Sequence, residues 1–63
     1  MLLTVTYSQE MNIYTAHNGQ AERIVTPAEL EEGGRYNPCR QIFDDARLAV
    51  TEGRAVSGVC VEL

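Results

Sequence analysis

Alternating apolar and polar residues at the start of the chain predict a β-strand. Leu3, Val5 and Tyr7 alternate with threonine and serine, which is the period of two that a half-buried strand requires. We therefore expect a first strand over residues 2 to 8. After a short polar segment, a second run with an isoleucine, a tyrosine and a threonine predicts another strand over residues 11 to 16.

A tight turn is expected immediately after the second strand. Asn18 and Gly19 suit a type I′ turn because both central residues of that turn need a positive φ. The pairs expected across this hairpin are Ala16 with Ala21, Tyr14 with Arg23 and Ile13 with Ile24. In this register the ring of Tyr14 covers the aliphatic stem of Arg23.

The next segment contains the signals of a short helix. Thr26 is a candidate N-cap, Pro27 suits the first helical position, and Glu29 is placed to complete a capping box. Glycines 33 and 34 should end this helix after about a turn and a half. A helix of that length depends on tertiary packing.

A longer helix is predicted over residues 38 to 52. Asn37 and Pro38 repeat the signals of a helix start, and Gly53 follows the last helical residue. At 100° per residue, one apolar stripe contains Cys39, Ile42, Phe43, Ala46 and Val50, with Ala49 at its border. We expect this stripe to pack on the sheet. Leu48 lies on the opposite side of the helix with Gln41, Asp44, Asp45 and Glu52.

The last segment, residues 55 to 63, predicts a strand that is apolar on both faces, which is typical of an interior or covered strand. Gly58 within it indicates a bulge or a close backbone approach. The element order is β-β-β-α-α-β. We expect one α+β domain over residues 1 to 63, with a small single-layer mixed or antiparallel sheet of about four strands backed by one main helix. We place the last strand beside the first.

Composition and charge limit the classes of partner. The chain has 63 residues, of which 44% are apolar and 22% charged, as in a folded domain. Nine acidic residues against five arginines give a net charge of -4, and the arginines are scattered. Direct binding of nucleic acid is therefore not expected, because it needs clustered cations. A neutral or basic protein surface is the expected partner. A domain this small also benefits from a homodimer contact or a bound partner.

The location and the cysteine chemistry follow from the same sequence. We expect no signal peptide, no membrane span and a cytoplasmic location. In that compartment Cys39 and Cys60 should be free thiols. A disulfide between them is the alternative if the main helix lies over the last strand.

Signatures of enzymes and of bound cofactors are not found in the sequence. It has no phosphate-binding glycine loop, no nucleophile elbow and no paired CxxC motif, and its single histidine, His17, adjoins a turn. No ligand spacing indicates a metal site. Cys39 lies near a helix N-terminus, which lowers a thiol pKa, so a thiol-dependent enzyme is one alternative. A buried apolar thiol is the other interpretation of the same residue.

Two acidic clusters on helical segments are the candidate contact surfaces. The partner-binding residues predicted here are Gln41, Asp44, Asp45, Leu48, Glu52, Glu31 and Glu32. A large apolar residue inside a charged rim is the pattern of an interface anchor. A solvated acidic face is the alternative interpretation.

In size, mild acidity and α+β architecture, the chain is similar in kind to the small inhibitors that phages encode against host machinery, such as anti-CRISPR proteins. The likeness is one of type and transfers no site residue. It implies a small acidic module that blocks a protein surface, one that holds nucleic acid, by steric and electrostatic means. A structural or regulatory homodimer, joined through a sheet edge or Leu48, is the alternative from another class.

Overall fold

A computed structural model describes residues 2 to 60 and contains a four-stranded antiparallel sheet backed by one α-helix. The strands are β1 (Leu2–Ser8), β2 (Ile13–His17), β3 (Glu22–Val25) and β4 (Val56–Val59), and the helix is α1 (Arg40–Ala49). The order across the sheet is β3-β2-β1-β4. The predicted α+β class and the single main helix are confirmed. Within residues 2 to 60, no helix is both long and apolar enough to cross a membrane.

The last strand lies beside the first, as predicted. β4 pairs with β1 in antiparallel orientation, with Leu2 opposite Val59 and Val5 opposite Val56. β4 is an edge strand among the described residues, so of the two predicted alternatives, an interior strand or one covered by a partner, the interior strand is wrong. The end of the predicted strand, residues 61 to 63, lies outside the described residues.

The hairpin between β2 and β3 differs from the predicted register by two residues. Ala16 lies opposite Arg23 and Tyr14 opposite Val25. The cause is a four-residue loop in which the side-chain oxygen of Asn18 accepts hydrogen bonds from the backbone N–H groups of residues 20 and 21, at 2.9 and 2.8 Å. A shift of two residues keeps every side chain on its face. Tyr14 is consequently buried opposite Val25 and is not placed over Arg23.

The core lies between α1 and one face of the sheet. Phe43 is fully buried at its centre, with its ring 5.5 Å from that of Tyr14 in an edge-to-face arrangement and 5.6 Å from that of Tyr36. Such aromatic pairs are favourable beyond the area they bury. Gly58 permits the helix to come close, because a Cβ built there would lie 2.8 Å from Cγ1 of Ile42. The predicted close backbone approach at Gly58 is confirmed.

The first predicted helix is only one turn of 3-10 helix, Pro27–Leu30. The predicted capping box is not formed, since the Thr26 side chain makes no capping hydrogen bond. Glu29 instead forms an ion pair with Arg23, with 3.0 Å between Oε1 and Nη2. The carboxylate of Glu29 therefore pairs with a guanidinium on the neighbouring strand and not with the backbone N–H that a capping box would use.

The longer helix consists of three consecutive segments. α1 is preceded by 3-10 turn Asn37–Cys39 and followed by 3-10 turn Val50–Glu52. Asn37 does not cap the helix, because its side-chain nitrogen donates to the backbone oxygen of Leu30 at 2.8 Å. Gly53 ends the helix in the left-handed conformation with φ 67°. Val50, predicted on the inward stripe, is only partly buried.

Cys39 and Cys60 form a disulfide, so the expectation of free thiols is wrong. Their Cα atoms are 5.4 Å apart, which is within the range for such bonds. The bond ties the N-terminal side of α1 to the residue that follows β4. The alternative of a disulfide, which required the helix to lie over the last strand, is the correct one.

We predict that reduction of this disulfide destabilises the protein. Cys39 and Cys60 are 21 residues apart, and a loop of this length corresponds to about 3 kcal/mol of chain entropy in the unfolded state. Urea unfolding with and without dithiothreitol should show a difference of that order. The double variant Cys39→Ala/Cys60→Ala is the control and should be insensitive to the reductant. Equal stability of the wild type in both buffers, with both cysteines open to alkylation, would contradict the disulfide.

Candidate functional site

Leu48 is the exposed apolar residue on the outer side of α1. Its side chain is 76% exposed, whereas Phe43, on the same helix, is fully buried. The difference follows from helical periodicity, because the stripe of Ile42, Phe43 and Ala46 faces the sheet. The predicted orientation of Leu48 is confirmed.

The carboxylates predicted around Leu48 are paired with groups of the same chain. Asp44 lies 3.4 Å from Nε of Arg40, four residues earlier on the helix. Glu52 lies 2.7 Å from Nη2 of Arg54. Both pairs are largely solvent-exposed, so each contributes only a few tenths of a kcal/mol, on the order of 0.2–1, to stability. The two ion pairs nevertheless hold each of these carboxylates beside an arginine of the same chain.

An amide completes this arrangement on the helix. Nε2 of Gln41 donates a hydrogen bond to Oδ1 of Asp45 at 2.9 Å. Gln41 and Asp45 are four residues apart and therefore neighbours on the helix surface. The predicted set of Gln41, Asp44, Asp45, Leu48 and Glu52 is thus brought together on α1 and the turn that follows it.

Glu31 and Glu32 do not belong to this group. Both are exposed in the turn after Pro27–Leu30. Neither lines a groove that also contains Leu48. The two predicted acidic clusters are therefore separate surfaces.

Leu48 forms a ridge between two shallow grooves. The first encloses about 560 Å³ and is lined by Tyr7, Gln9, Asp44, Arg47, Leu48, Val50 and Thr51. The second, about 520 Å³, is lined by Asp45, Leu48, Ala49, Thr51, Glu52, Arg54 and Val56. We call the ridge and both grooves the Leu48 surface. A partner that binds here would meet a protruding leucine with a concave, partly apolar floor on each side.

The first groove contains residues that the sequence analysis did not assign to the site. The guanidinium of Arg47 lies 5.6 Å from the ring centre of Tyr7, a cation–π contact. The hydroxyl of Tyr7 donates to Oδ1 of Asn12 at 2.5 Å. Tyr7 reaches the surface from β1, so only the packing of helix on sheet brings it to Arg47. Arg47 could have been predicted from the sequence, because it lies three residues after Asp44 and next to Leu48 on the same helix.

The arginines change the electrostatics of the Leu48 surface. Three carboxylates and two arginines line the two grooves, so the formal charge of this surface is only -1; the groups are Asp44, Asp45, Glu52, Arg47 and Arg54. The surface is a mixed-charge rim around an apolar ridge. The acidity of the chain therefore resides mainly outside it, for example at Glu31 and Glu32.

Tyr14 lies beneath the first groove and carries the perturbed pKa of this region. Burial raises the pKa of the Tyr14 phenol above its ordinary value near 10, and the charge of Arg47 offsets part of that effect. Its ring centre is 4.7 Å from that of Tyr7. At neutral pH the phenol is protonated, and we assign it a packing role.

The candidate nucleophilic and metal-binding residues of the described chain do not form a second site. Cys39 is buried and held in the disulfide, so its thiol is not available as a nucleophile. His17 is half-buried at the end of β2. Over residues 2 to 60, no three or more His, Cys, Asp or Glu side chains are arranged to hold a metal ion.

Comparison of the chain with protein-family models, with curated proteins and with solved structures finds no match.

We predict that stability falls at alkaline pH because of Tyr14. The raised native pKa means that, above pH 10, the unfolded state releases a proton that the native state retains. The free energy of unfolding is thus unaffected by this group below pH 10 and decreases as the pH rises through the native pKa, by at most about 1.4 kcal/mol per pH unit. Urea unfolding of the wild type and Tyr14→Phe between pH 8 and 11 isolates the effect. An identical decline in both proteins would rule Tyr14 out as its source.

Proposed function

We propose that the protein is a small binding module that docks on another protein through the Leu48 surface and inhibits it by occupying that partner's binding face. The observation that carries the proposal is a leucine, 76% exposed, on a rigid helix between two grooves. Large apolar side chains in the centre of a polar rim are the usual anchors of protein interfaces.

The rim supports specificity more than affinity. Asp44 and Glu52 already have arginine partners at 3.4 and 2.7 Å, so a basic partner must compete with Arg40 and Arg54 for them. Exchanges of this kind contribute little net free energy but penalise a partner with the wrong charge pattern. We therefore assign the binding energy to Leu48 and the orientation of the complex to the charged pairs.

The acidity of the whole chain supports a basic or nucleic-acid-binding partner. A net charge of -4 accelerates the approach of a basic surface without requiring a contact at each carboxylate. Glu31 and Glu32 contribute to this steering from their separate turn. Inhibition then results from steric exclusion of nucleic acid, as for the phage-encoded inhibitors to which the chain is similar in kind. No catalytic step is assigned to the protein.

The location of the protein can be tested through its disulfide. A cytoplasmic location remains our proposal, but reducing compartments keep most cysteines as thiols. In a cytoplasmic protein the Cys39–Cys60 bond therefore forms only after release from the cell, whereas a bond already present in intact cells would place the protein in an oxidising compartment. Alkylation of free thiols in intact cells before lysis distinguishes the two locations.

We predict that Leu48→Ala weakens the binding of a specific partner. Affinity capture from the source organism with the wild type identifies the partner, and its Kd is then measured with purified proteins. Leu48→Ala should raise that Kd at least about tenfold, as expected for an interface anchor. Asp44→Lys/Asp45→Lys should weaken binding further and alter its salt dependence.

The matched control is Ile24→Ala, which removes another exposed aliphatic side chain, from the other side of the sheet. It should leave the Kd unchanged. A partner that binds Leu48→Ala and the wild type equally well would remove the Leu48 surface from consideration.

A further inference from the structure

The face of the sheet opposite α1 is not covered by any element in residues 2 to 60. Leu2, Ile24 and Val59 on this face are 62, 60 and 79% exposed. The registers place Leu2 opposite Val59 and Ile24 opposite Thr15. We call this the open sheet face.

The open sheet face carries very little formal charge. Its strand residues are aliphatic or carry hydroxyl groups, apart from His17 and Glu22, which lie opposite each other at one corner. Solvated sheet faces and edges normally carry charged residues that prevent association. Among the described strand residues on this face, Glu22 is the only one with a formal charge.

One pair of hydroxyl groups on this face is already hydrogen-bonded within the chain. Oγ1 of Thr4 and Oγ of Ser57 lie 3.1 Å apart and form a hydrogen bond across β1 and β4. Polar groups that are already paired can be buried at a much smaller penalty than unpaired ones. Burying this pair under a second copy therefore costs less than burying two unpaired hydroxyl groups.

Charge identifies the occupant. Two copies of a chain with a net charge of -4 repel each other, and the repulsion is smallest where the facing surfaces carry the fewest carboxylates. The open sheet face meets this condition. A basic partner, in contrast, finds almost no complementary charge there.

We propose that the open sheet face packs against the same face of a second copy across a two-fold axis, as a weak homodimer. Aliphatic and hydroxyl side chains are complementary to themselves, as an isologous interface requires. Two such faces packed about 10 Å apart form a sandwich of sheets. Each copy gains a cover for the sheet face that α1 leaves open.

The size of the face sets the strength of this dimer. Four strands at about 4.8 Å and about five residues at 3.3 Å give roughly 19 by 16 Å, or about 300 Å² per copy. Stable complexes bury about 800 Å² per partner. The dimer therefore forms at high protein concentration, and the two Leu48 surfaces remain on its outside, where a partner with two sites would bind both.

Self-association is measured by sedimentation velocity at protein concentrations from about 10 µM to 1 mM. Dissociation constants in this range are expected for so small a contact. The wild type should change from monomer to dimer over this range. Ile24→Glu places two carboxylates in each interface and should weaken association at least about tenfold. The matched control is Leu48→Glu on the other side of the molecule, which should leave the association within about twofold of the wild type.

Ile24→Thr serves as a second variant, because threonine retains the β-propensity of the strand if the glutamate variant does not fold. It should also weaken association. A wild type that stays monomeric at 1 mM overturns the proposal. Loss of association in Leu48→Glu alone, or concentration-dependent amide protection confined to the outer edge of β4, would also overturn it by placing the contact elsewhere.

Discussion

The fold is organised by the contact between the apolar stripe of α1 and one face of the sheet. A single ten-residue helix can cover only one face of a four-stranded sheet. Phe43 occupies the centre of that contact, with Tyr14 and Tyr36 against its ring. Once Phe43 points inward, helical periodicity directs Leu48 outward. The exposed surfaces of the molecule are therefore a consequence of how its core is packed.

This arrangement leaves two outer surfaces with different chemistry. The Leu48 surface combines one apolar ridge with alternating acidic and basic groups, so it suits a partner with a defined charge pattern. The open sheet face is nearly uncharged and suits a copy of itself. Because they lie on opposite layers, both surfaces can be occupied at once. The disulfide from Cys39 to Cys60 holds the helix and the last strand, and so both layers, in register.

Local patterns were sufficient to predict the elements and the orientation of Leu48. The alternation in β1 and the 3.6-residue period of α1 are local properties of the sequence. The register of β2 and β3 was mispredicted because the side chain of Asn18 stabilises a longer loop than the type I′ turn expected from Asn-Gly. Glu29 was assigned to a cap, but its carboxylate pairs with Arg23 on the preceding strand. Tyr7 reaches the Leu48 surface, and Cys39 reaches Cys60, only because the helix packs on the sheet. The sequence alone does not reveal such contacts between elements.

The most direct test of this account compares the free energies of unfolding of Phe43→Ala and Leu48→Ala in urea. If α1 is oriented as described, Phe43→Ala loses about 3 to 5 kcal/mol or fails to fold. Leu48→Ala should then remain within about 0.5 kcal/mol of the wild type. A loss of stability in Leu48→Ala as large as that in Phe43→Ala would contradict the orientation of the helix and, with it, the Leu48 surface.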